Sequence, residues 1–188
     1  MRRNAAVSRR NAAGNGRAVA RARHFVAALL LVAVAACTES RALDDVVVVA
    51  AGSAHSPTVA VDDTGNHAFV AWVAGDDTYD VMLARSTNAG EFSAPVRVNS
   101  IPGDAAPHEQ APAQVAVAPD GTVYVVWQNK TVVEGREFPA SDLRFARSTD
   151  GGRTFEPTIF VNDDAGAVPT SHTFHNIAVA QDGTVYVS

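Results

Sequence analysis

Short runs of valine, alanine and aromatic residues alternate with polar turns, and this pattern predicts β-strands along residues 45–188. In three places two such runs flank a glycine turn, at residues 59–72, 115–127 and 177–187. The turn glycines Gly65, Gly121 and Gly183 lie 56 and 62 residues apart. Each copy predicts two antiparallel strands joined by a tight turn, so the chain contains an internal repeat.

A second repeat follows the first, because residues 83–90 (LARSTNAG) match residues 145–152 (FARSTDGG). Both segments lead through a phenylalanine, Phe92 or Phe155, to a further apolar run. We predict strands at about 58–61, 68–73, 80–85 and 94–98 in the first copy and at 114–118, 122–128, 142–147 and 155–161 in the second. A repeated unit of four antiparallel strands and about 60 residues is typical of a β-propeller blade.

The predicted fold is therefore all-β, a β-propeller of four-stranded antiparallel blades. The propeller region covers residues 45–188: blade one at 57–99, blade two at 113–162 and the start of blade three at 175–188. The valine run at residues 46–49 predicts a strand that closes the ring by joining the last blade. A buried strand without that role is the alternative.

The formal net charge of −5 conceals two parts of opposite character. Residues 1–36 hold seven arginines and no acidic residue, whereas residues 37–188 hold eight basic and all 20 acidic residues, a net charge of −12. So acidic a body repels a nucleic-acid backbone, and we expect no nucleic-acid partner.

The first 36 residues predict an export signal. An arginine-rich stretch leads into an uncharged apolar run at residues 25–36, too short to span a bilayer but suited to a secretory signal. The run ends Val34-Ala35-Ala36-Cys37, which resembles the cleavage box of bacterial lipoproteins. The resemblance implies that residues 1–36 are removed, that Cys37 is lipidated, and that residues 37–44 tether an exported protein to a membrane of the cell envelope. An ordinary signal peptide with an incidental cysteine is the alternative.

Residues 148–155 (STDGGRTF) carry the most specific motif of the chain. They resemble the Asp-box, or BNR repeat, of the sialidase superfamily, and they lie in the predicted turn between strands three and four. Residues 86–92 are a degenerate copy with Asn88 in place of the aspartate. The resemblance implies structural roles, in which side chains bond the turn backbone and glycine supplies a positive φ. The box residues are Ser86, Asn88, Gly90, Ser148, Asp150, Gly152 and Phe155.

The same resemblance implies an exo-α-sialidase, a glycoside hydrolase that holds its substrate carboxylate with three arginines and uses a tyrosine nucleophile. The first arginine belongs to a Phe-Arg-Ile-Pro motif, which aligns with Ala54-His55-Ser56-Pro57 and places His55 at the arginine position. Two hypotheses remain: a sialidase-like hydrolase, and a non-catalytic envelope propeller that binds glycan or protein. Rings of this superfamily usually have six blades, so we expect these 188 residues, with about two and a half blades, to be a fragment.

In a propeller, the loops between blades and those between strands two and three emerge on one face, which we call the loop face. Four of the five histidines after residue 36 fall in predicted between-blade loops. Histidine and carboxylate groups serve acid–base chemistry, sugar hydroxyls or metals, although solvated loops also carry them. The candidate binding residues of this face are His55, Asp76, Asp77, Asp80, His108, Glu109, Arg136, His172 and His175.

The sequence predicts no cofactor and no metal site. The acidic pairs Asp62-Asp63 and Asp163-Asp164 could bind calcium, but the solvation of polar turns explains them equally well. Catalytic residues are not assigned from the sequence.

Overall fold

The computed structural model describes residues 47–86, 91–165 and 169–188, which form ten strands. The first sheet has four antiparallel strands in chain order: β1 (Ala54–Val61), β2 (Ala68–Ala74), β3 (Asp80–Arg85) and β4 (Val96–Arg97). The second sheet has the same order: β5 (Gln114–Val117), β6 (Val123–Gln128), β7 (Leu143–Ser148) and β8 (Ile159–Phe160). The third is a hairpin of β9 (Ile177–Val179) and β10 (Val185–Val187). The prediction of an all-β fold made of small antiparallel sheets is confirmed, and no helix able to cross a membrane occurs in these ranges.

The sequence repeat is also a structural repeat. The second and third strands of each four-stranded sheet pair over six residues, β2 with β3 and β6 with β7. The turn before each second strand holds a glycine at positive φ: Gly65 at 71°, Gly121 at 84° and Gly183 at 84°. A residue without a Cβ atom adopts this conformation at little cost, which explains the recurrence of glycine at this position.

β1 begins at Ala54, earlier than the predicted strand at 58–61. Ser56 has a positive φ of 48°, and the pairing with β2 shifts register between His55 and Thr58. Pro57 lacks a backbone N–H, so an irregularity here lets the strand continue past a residue that cannot donate to the ladder. The prediction that His55 lies in a loop between blades is therefore wrong.

The described part of the predicted closing strand does not form a strand. Residues 47–50 belong to no strand, and Val48 is exposed, whereas residue 46 lies outside the described residues. A strand needs a partner edge to satisfy its backbone groups, and these four residues pair with no strand among the described ones. The predicted signal, the tether with Cys37, and Asn88 and Gly90 of the degenerate box also lie outside the described residues.

The core lies where the two four-stranded sheets pack against each other. Alternate residues of β2 and β6 are buried in one apolar cluster, as the two-residue period of a strand requires. The β2 and β6 members are Phe69, Ala71, Val73, Val123, Val125 and Trp127.

The first strands of the three sheets are neighbours: β1 lies against β5, and β5 lies against β9. The hydroxyl of Thr58 on β1 donates to the Ala113 carbonyl just before β5, at 2.6 Å. At the other edge of the sheets, Ser100 and Thr158 exchange two hydrogen bonds of 3.0 and 3.1 Å. The first two sheets are therefore joined at their first strands and again next to their fourth strands.

Candidate functional site

The box turn at residues 148–155 has a hydrogen-bond partner for each of its key polar groups. Asp150 Oδ1 accepts from the Ser148 hydroxyl at 2.7 Å and from the backbone N–H groups of Arg153 and Thr154, both at 2.9 Å. Asp150 Oδ2 accepts from the Thr154 hydroxyl at 2.7 Å. These bonds, the Thr154 hydroxyl first among them, hold the pKa of Asp150 well below its ordinary value. Asp150 is thus an ionised structural group.

Gly152 joins this turn to the neighbouring sheet. Its φ is 79°, and a Cβ atom at this position would lie 3.0 Å from Cδ2 of Leu83 on β3. Its N–H donates to the Ser148 hydroxyl at 2.8 Å. In the degenerate copy the Ser86 hydroxyl accepts from the Ala68 N–H at 2.7 Å. Glycine is therefore needed at residue 152 for conformation and for packing.

An asparagine after the last strand of each four-stranded sheet ties that sheet to the start of its third strand; Asn99 is buried and Asn162 is half-buried. Asn99 accepts from the Val81 N–H at 2.8 Å and donates to Asp80 Oδ1 at 2.6 Å. Asn162 accepts from the Leu143 N–H at 2.9 Å and donates to Asp142 Oδ1 at 2.9 Å. Asp80, a predicted binding residue, thus holds Asn99 and also the Gly103 N–H. We call these two contacts the Asp–Asn locks.

A buried ion pair lies beneath the loops that follow β6. Arg144 of β7 contacts Asp104 through two nitrogens, Nε to Oδ2 at 2.8 Å and Nη2 to Oδ1 at 3.3 Å. The guanidinium also covers the ring of Phe160, with 3.9 Å from its carbon to the centroid. The indole N–H of Trp127 donates to the Asp104 carbonyl at 2.8 Å. Sequence inspection missed this network, because Asp104 and Arg144 are 40 residues apart and only the folded loops bring them together.

Three of the predicted binding residues are engaged with nearby groups. His55 Nε2 lies 3.0 Å from the Gly75 carbonyl oxygen, and the Ser53 hydroxyl donates to Asp76. His172 Nε2 lies 2.9 Å from Asp164 Oδ1. These contacts hold their loops and do not converge on one point.

The remaining predicted residues lie at different depths. Arg136 donates to the Pro169 carbonyl, while Asp77 and Glu109 are exposed. His108 lines a cavity in this region, and His175 follows Phe174, which lines the same cavity.

That cavity is a cleft of about 330 Å³ between the loop that follows β6 and the loops that precede β5 and β9. We call it the loop cleft. Phe138 and Phe174 line it while remaining 69% and 63% exposed, so the cleft presents two aromatic rings to solvent. The polar groups that line it are His108, Gln128, Asn129, Lys130, Ser141, Ser171 and Thr173.

Some buried polar atoms of the described residues have no hydrogen-bond partner. Among the described residues, five buried side-chain nitrogen or oxygen atoms have no hydrogen-bond partner. Two of them, Gln128 Oε1 and Thr173 Oγ1, belong to residues that line the cleft. Two more are the ring nitrogens of His175, which face the carbonyls of Pro112 and Val126 without meeting hydrogen-bond geometry, and the fifth is Nη1 of Arg144, which lies 3.7 Å from Asp142 Oδ2. Buried polar atoms are usually paired, and these atoms, which are closed off from solvent, are exceptions to that rule among the described residues.

The backbone of Phe174 is strained at the edge of the cleft. Its φ is 60°, a left-handed value that an aromatic residue rarely takes. The ring meets His108 edge to face, with 5.6 Å between the two centroids. Such strain persists where surrounding contacts hold it in place, and it concentrates at binding sites.

The two histidines of this region have different environments. His108 Nδ1 accepts from the Gln110 N–H at 3.2 Å, which leaves the proton of the neutral ring on Nε2. His175 is buried, and this burial lowers its pKa, while the carbonyls of Pro112 and Val126 oppose the shift. His175 is therefore neutral near pH 7.

The acidic pairs considered for calcium are engaged in their own turns. Asp62 accepts from His67 Nδ1 at 2.8 Å, and this bond is the main reason that its pKa falls to about 2. Asp164 accepts from Asn162 Nδ2 at 2.9 Å. Within the described ranges, no three histidine, cysteine or acidic side chains are grouped to hold a metal ion.

A second cavity, of about 450 Å³, lies between the second sheet and the third hairpin. Tyr124 and Phe145 line it as a stacked pair, and the exposed ion pair of Arg147 and Glu156 borders it. Its one ion pair is therefore made between two of its own lining residues.

Comparison with protein-family models and with curated proteins finds no match to this chain. The geometry of the loop cleft therefore provides the basis for assigning a function.

Proposed function

We propose that the chain is part of an exported, lipid-anchored Asp-box β-propeller that binds glycan at the loop cleft without hydrolysing it. The repeat of two four-stranded sheets supports a propeller, as does the contact of their first strands, since blades meet along their innermost strands. The self-contained turn around Asp150 supports the resemblance to the sialidase superfamily.

The observation that carries the proposal is the loop cleft itself. It combines the exposed rings of Phe138 and Phe174 with polar side chains that include Asn129, Lys130 and Ser141. Sugars present apolar C–H faces and many hydroxyl groups, so they need aromatic surfaces and hydrogen-bonding groups in one place. Small-ligand sites generally have this composition and start at about 300 Å³.

The residues that line the cleft favour binding without hydrolysis. Glycosidases act through carboxylates or, in sialidases, a tyrosine nucleophile. The described residues that line the loop cleft include neither, and Asp104, which bonds to the lining residue Asn129, is held by Arg144. The arginines also have local partners: Arg147 contacts Glu156, and Arg136 contacts a carbonyl.

Export and anchoring rest on the N-terminal sequence alone. The arginine-rich stretch, the apolar run and Val34-Ala35-Ala36-Cys37 support a lipoprotein signal. Expression of the full chain in a bacterial host with labelled fatty acid should place the label on the protein in the membrane fraction. Cys37→Ser should abolish labelling, whereas an unlabelled wild-type chain that is cleaved near residue 36 would favour the ordinary signal peptide.

The binding proposal is tested with the full chain on an array of bacterial and host glycans, followed by calorimetry on the best ligand. We expect binding in the micromolar range that falls at least tenfold in Phe138→Ala and in Phe174→Ala. Tyr186→Ala is the matched control, because Tyr186 is 61% exposed and lies on β10, outside the cleft. Binding to no glycan would overturn the proposal, and turnover of a fluorogenic sialoside between about pH 4 and 8 would favour the hydrolase instead.

A further inference from the structure

We infer that the cavity between the second sheet and the third hairpin, which we call the hairpin cavity, is the docking site of one further box turn. This turn is carried by a strand that pairs with β10 and completes the third sheet. The inference rests on the propeller part of the proposed function and not on its glycan binding. The internal repeat carries it, because the first sheet shows which element covers the equivalent face.

The box turn at residues 148–155 covers one face of the first sheet. A Cβ atom on Gly152 would lie 3.0 Å from Leu83 Cδ2 and 3.5 Å from the ring of Phe69. Phe155 of the same turn packs against the apolar cluster that contains both residues. Phe69 and Leu83 are accordingly only 5% and 0% exposed. A box turn is therefore the element that closes this face of the sheet.

The same two positions of the second sheet are held by Tyr124 and Phe145. Phe69 and Tyr124 each pair with the arginine that precedes the box serine. Leu83 and Phe145 each lie two residues before that arginine. Successive residues of a strand lie on opposite faces, and Val125 lies in the core shared with the first sheet, so its neighbour Tyr124 lies on the other face. The second sheet thus repeats, toward the third hairpin, the face that the first sheet presents to the second.

This repeated face is more exposed than its counterpart. Tyr124 and Phe145 are half-buried and form a stacked pair with 5.7 Å between the ring centroids. Ile159, which pairs with Phe145, is 56% exposed, although its counterpart Val96 is half-buried. All three residues of the second sheet line the hairpin cavity together with Val185 of β10. The lining therefore presents apolar surface that a packed element would remove from water.

The hairpin supplies the other half of the docking site. β10 pairs with β9 alone among the described strands, whereas β2 and β6 each pair on their other side with a third strand over six residues. Those third strands, β3 and β7, lead directly to the box serines Ser86 and Ser148. An extended segment that adds to an exposed sheet edge gains backbone hydrogen bonds. A strand on β10 therefore brings the box turn that follows it to the hairpin cavity.

A box turn is suited to docking because its conformation is fixed from within. The carboxylate of Asp150 accepts from the hydroxyls of Ser148 and Thr154, both at 2.7 Å. A segment that is already ordered loses little conformational freedom when it packs. A second copy of this chain is a poorer occupant, because its box turn already packs on its own first sheet through Gly152.

The test uses the full chain and a synthetic peptide that copies residues 142–160, which hold a third strand, a box turn and a fourth strand. Calorimetry should show one peptide bound per chain, and hydrogen exchange should slow at the backbone amides of residues 185–187. A matched peptide that carries Gly152→Leu should bind about tenfold more weakly, because its added side chain has no room against the stacked rings.

Variants of the full chain connect the binding to the cavity. Ile159→Asp should weaken the peptide about tenfold, since it brings a charge into an apolar contact. Val132→Asp is the matched control, because Val132 is 84% exposed and lines neither cavity. Urea unfolding checks that both variants fold, and if Ile159→Asp does not, the Gly152→Leu peptide decides.

A covalent version removes the entropic cost of binding a free peptide. The full chain is extended after Ser188 with a copy of residues 127–162, which continues the repeat in register. We expect the urea midpoint to rise above that of the unextended chain. A matched extension that carries Gly152→Leu should lose most of this rise.

The outcomes separate this inference from glycan binding. Absence of peptide binding together with equal midpoints for the two extensions overturns the inference. Peptide binding that Ile159→Asp leaves unchanged also overturns it. Self-association of the full chain that protects residues 185–187 without peptide does the same, since a second copy then covers this face. A chain that binds no glycan overturns only the glycan proposal, because the loop cleft lies at the other end of β6, beside Gln128.

Discussion

The box turn and the loop cleft use their polar groups in opposite ways. In the box turn the carboxylate of Asp150 accepts four hydrogen bonds within eight residues of chain. At the loop cleft Gln128 Oε1 and Thr173 Oγ1 are buried with no partner at all. A group whose bonds are all made inside the fold stabilises that fold, whereas a buried group left unpaired costs free energy. This difference separates polar groups whose bonds stabilise the fold from polar groups that make no such bonds.

The largest loss of stability is expected when the ion pair of Asp104 and Arg144 is broken. We group this pair with the box turn, because both stabilise the fold. Asp104→Ala should lower the free energy of unfolding by about 3–5 kcal/mol, because it leaves the Arg144 guanidinium buried without its main partner. Glu156→Ala breaks the Arg147 pair, whose side chains are 49% and 45% exposed, and should cost less than about 1 kcal/mol. Urea unfolding of the full chain measures both, and equal losses would contradict this classification.

Gly152→Ala tests the packing of the box turn on the neighbouring sheet. The added methyl must accept a φ of 79° and would lie 3.0 Å from Leu83, so we expect a loss of about 2–4 kcal/mol. Gly121→Ala has a similar φ of 84° and open space around it, and it should cost about 1–2 kcal/mol. The difference between the two unfolding free energies isolates the packing contribution. A difference near zero would mean that the turn is not packed tightly against Leu83.

Gln128 and Asn129 give the sharpest comparison, since they are adjacent, buried and both amides. Asn129→Leu should cost about 1–3 kcal/mol, because the Asp142 N–H and Asp104 Oδ1 lose their bonds to this amide. Gln128→Leu removes an unpaired acceptor and should change the unfolding free energy by less than about 1 kcal/mol in either direction. If Gln128→Leu is as destabilising as Asn129→Leu, the amide of Gln128 contributes to the stability of the fold in the same way as that of Asn129.

The smallest losses of folding stability are expected at acidic pH, and they come mainly from the box turn. Hydrogen bonds lower the pKa of Asp150 and bring that of Asp62 to about 2, so both groups stabilise the fold above the ordinary aspartate value of 3.8. This stability is lost as the pH falls from about 4 through the lowered values. The neutral His175 adds a loss that begins below about pH 6.5, since the unfolded chain binds a proton there first.

Urea midpoints measured from pH 7 to pH 2 should therefore fall most steeply below pH 4. Asp150→Asn should flatten this slope, and Gln128→Leu should leave it unchanged. An unaltered acid slope in Asp150→Asn would show that the box carboxylate contributes little.

Sequence patterns predicted the strands well because their causes are local. The alternation of apolar residues and the glycine turns that predict a strand all lie within a few residues of it. The observed strands differ from the predicted ones by at most one residue at each end for β2, β3, β6 and β7. The fourth strands are shorter than predicted, and β1 is longer because an irregularity at Ser56 carries it past Pro57.

The candidate site was harder to predict because it depends on how loops fold over one another. His172 and His175 look alike in sequence, yet one is paired with Asp164 near the surface and the other is buried. The sequence gives no reason to single out Gln128, because it is the last residue of a strand and only the folded loops place it beside a cavity with Thr173 and Phe174. The Asp–Asn locks could have been found, since Asn99 and Asn162 follow valine at the end of each repeat.

The pairing of Asn129 with Asp142 has a consequence for how such a cleft could diversify. Their backbone groups are bonded at 3.1 Å, and the Asn129 side chain accepts from Asp142 as well, so both ends of the intervening segment are held by the sheet. Residues 130–141 can therefore change in length and composition without shifting β6 or β7 in register. The corresponding segment of the first sheet, residues 75–79, spans the same place with far fewer residues. An insertion at this one position can give one copy of the repeated sheet a surface that the other copy lacks. The same loop could also be exchanged between related chains without altering the strands on either side.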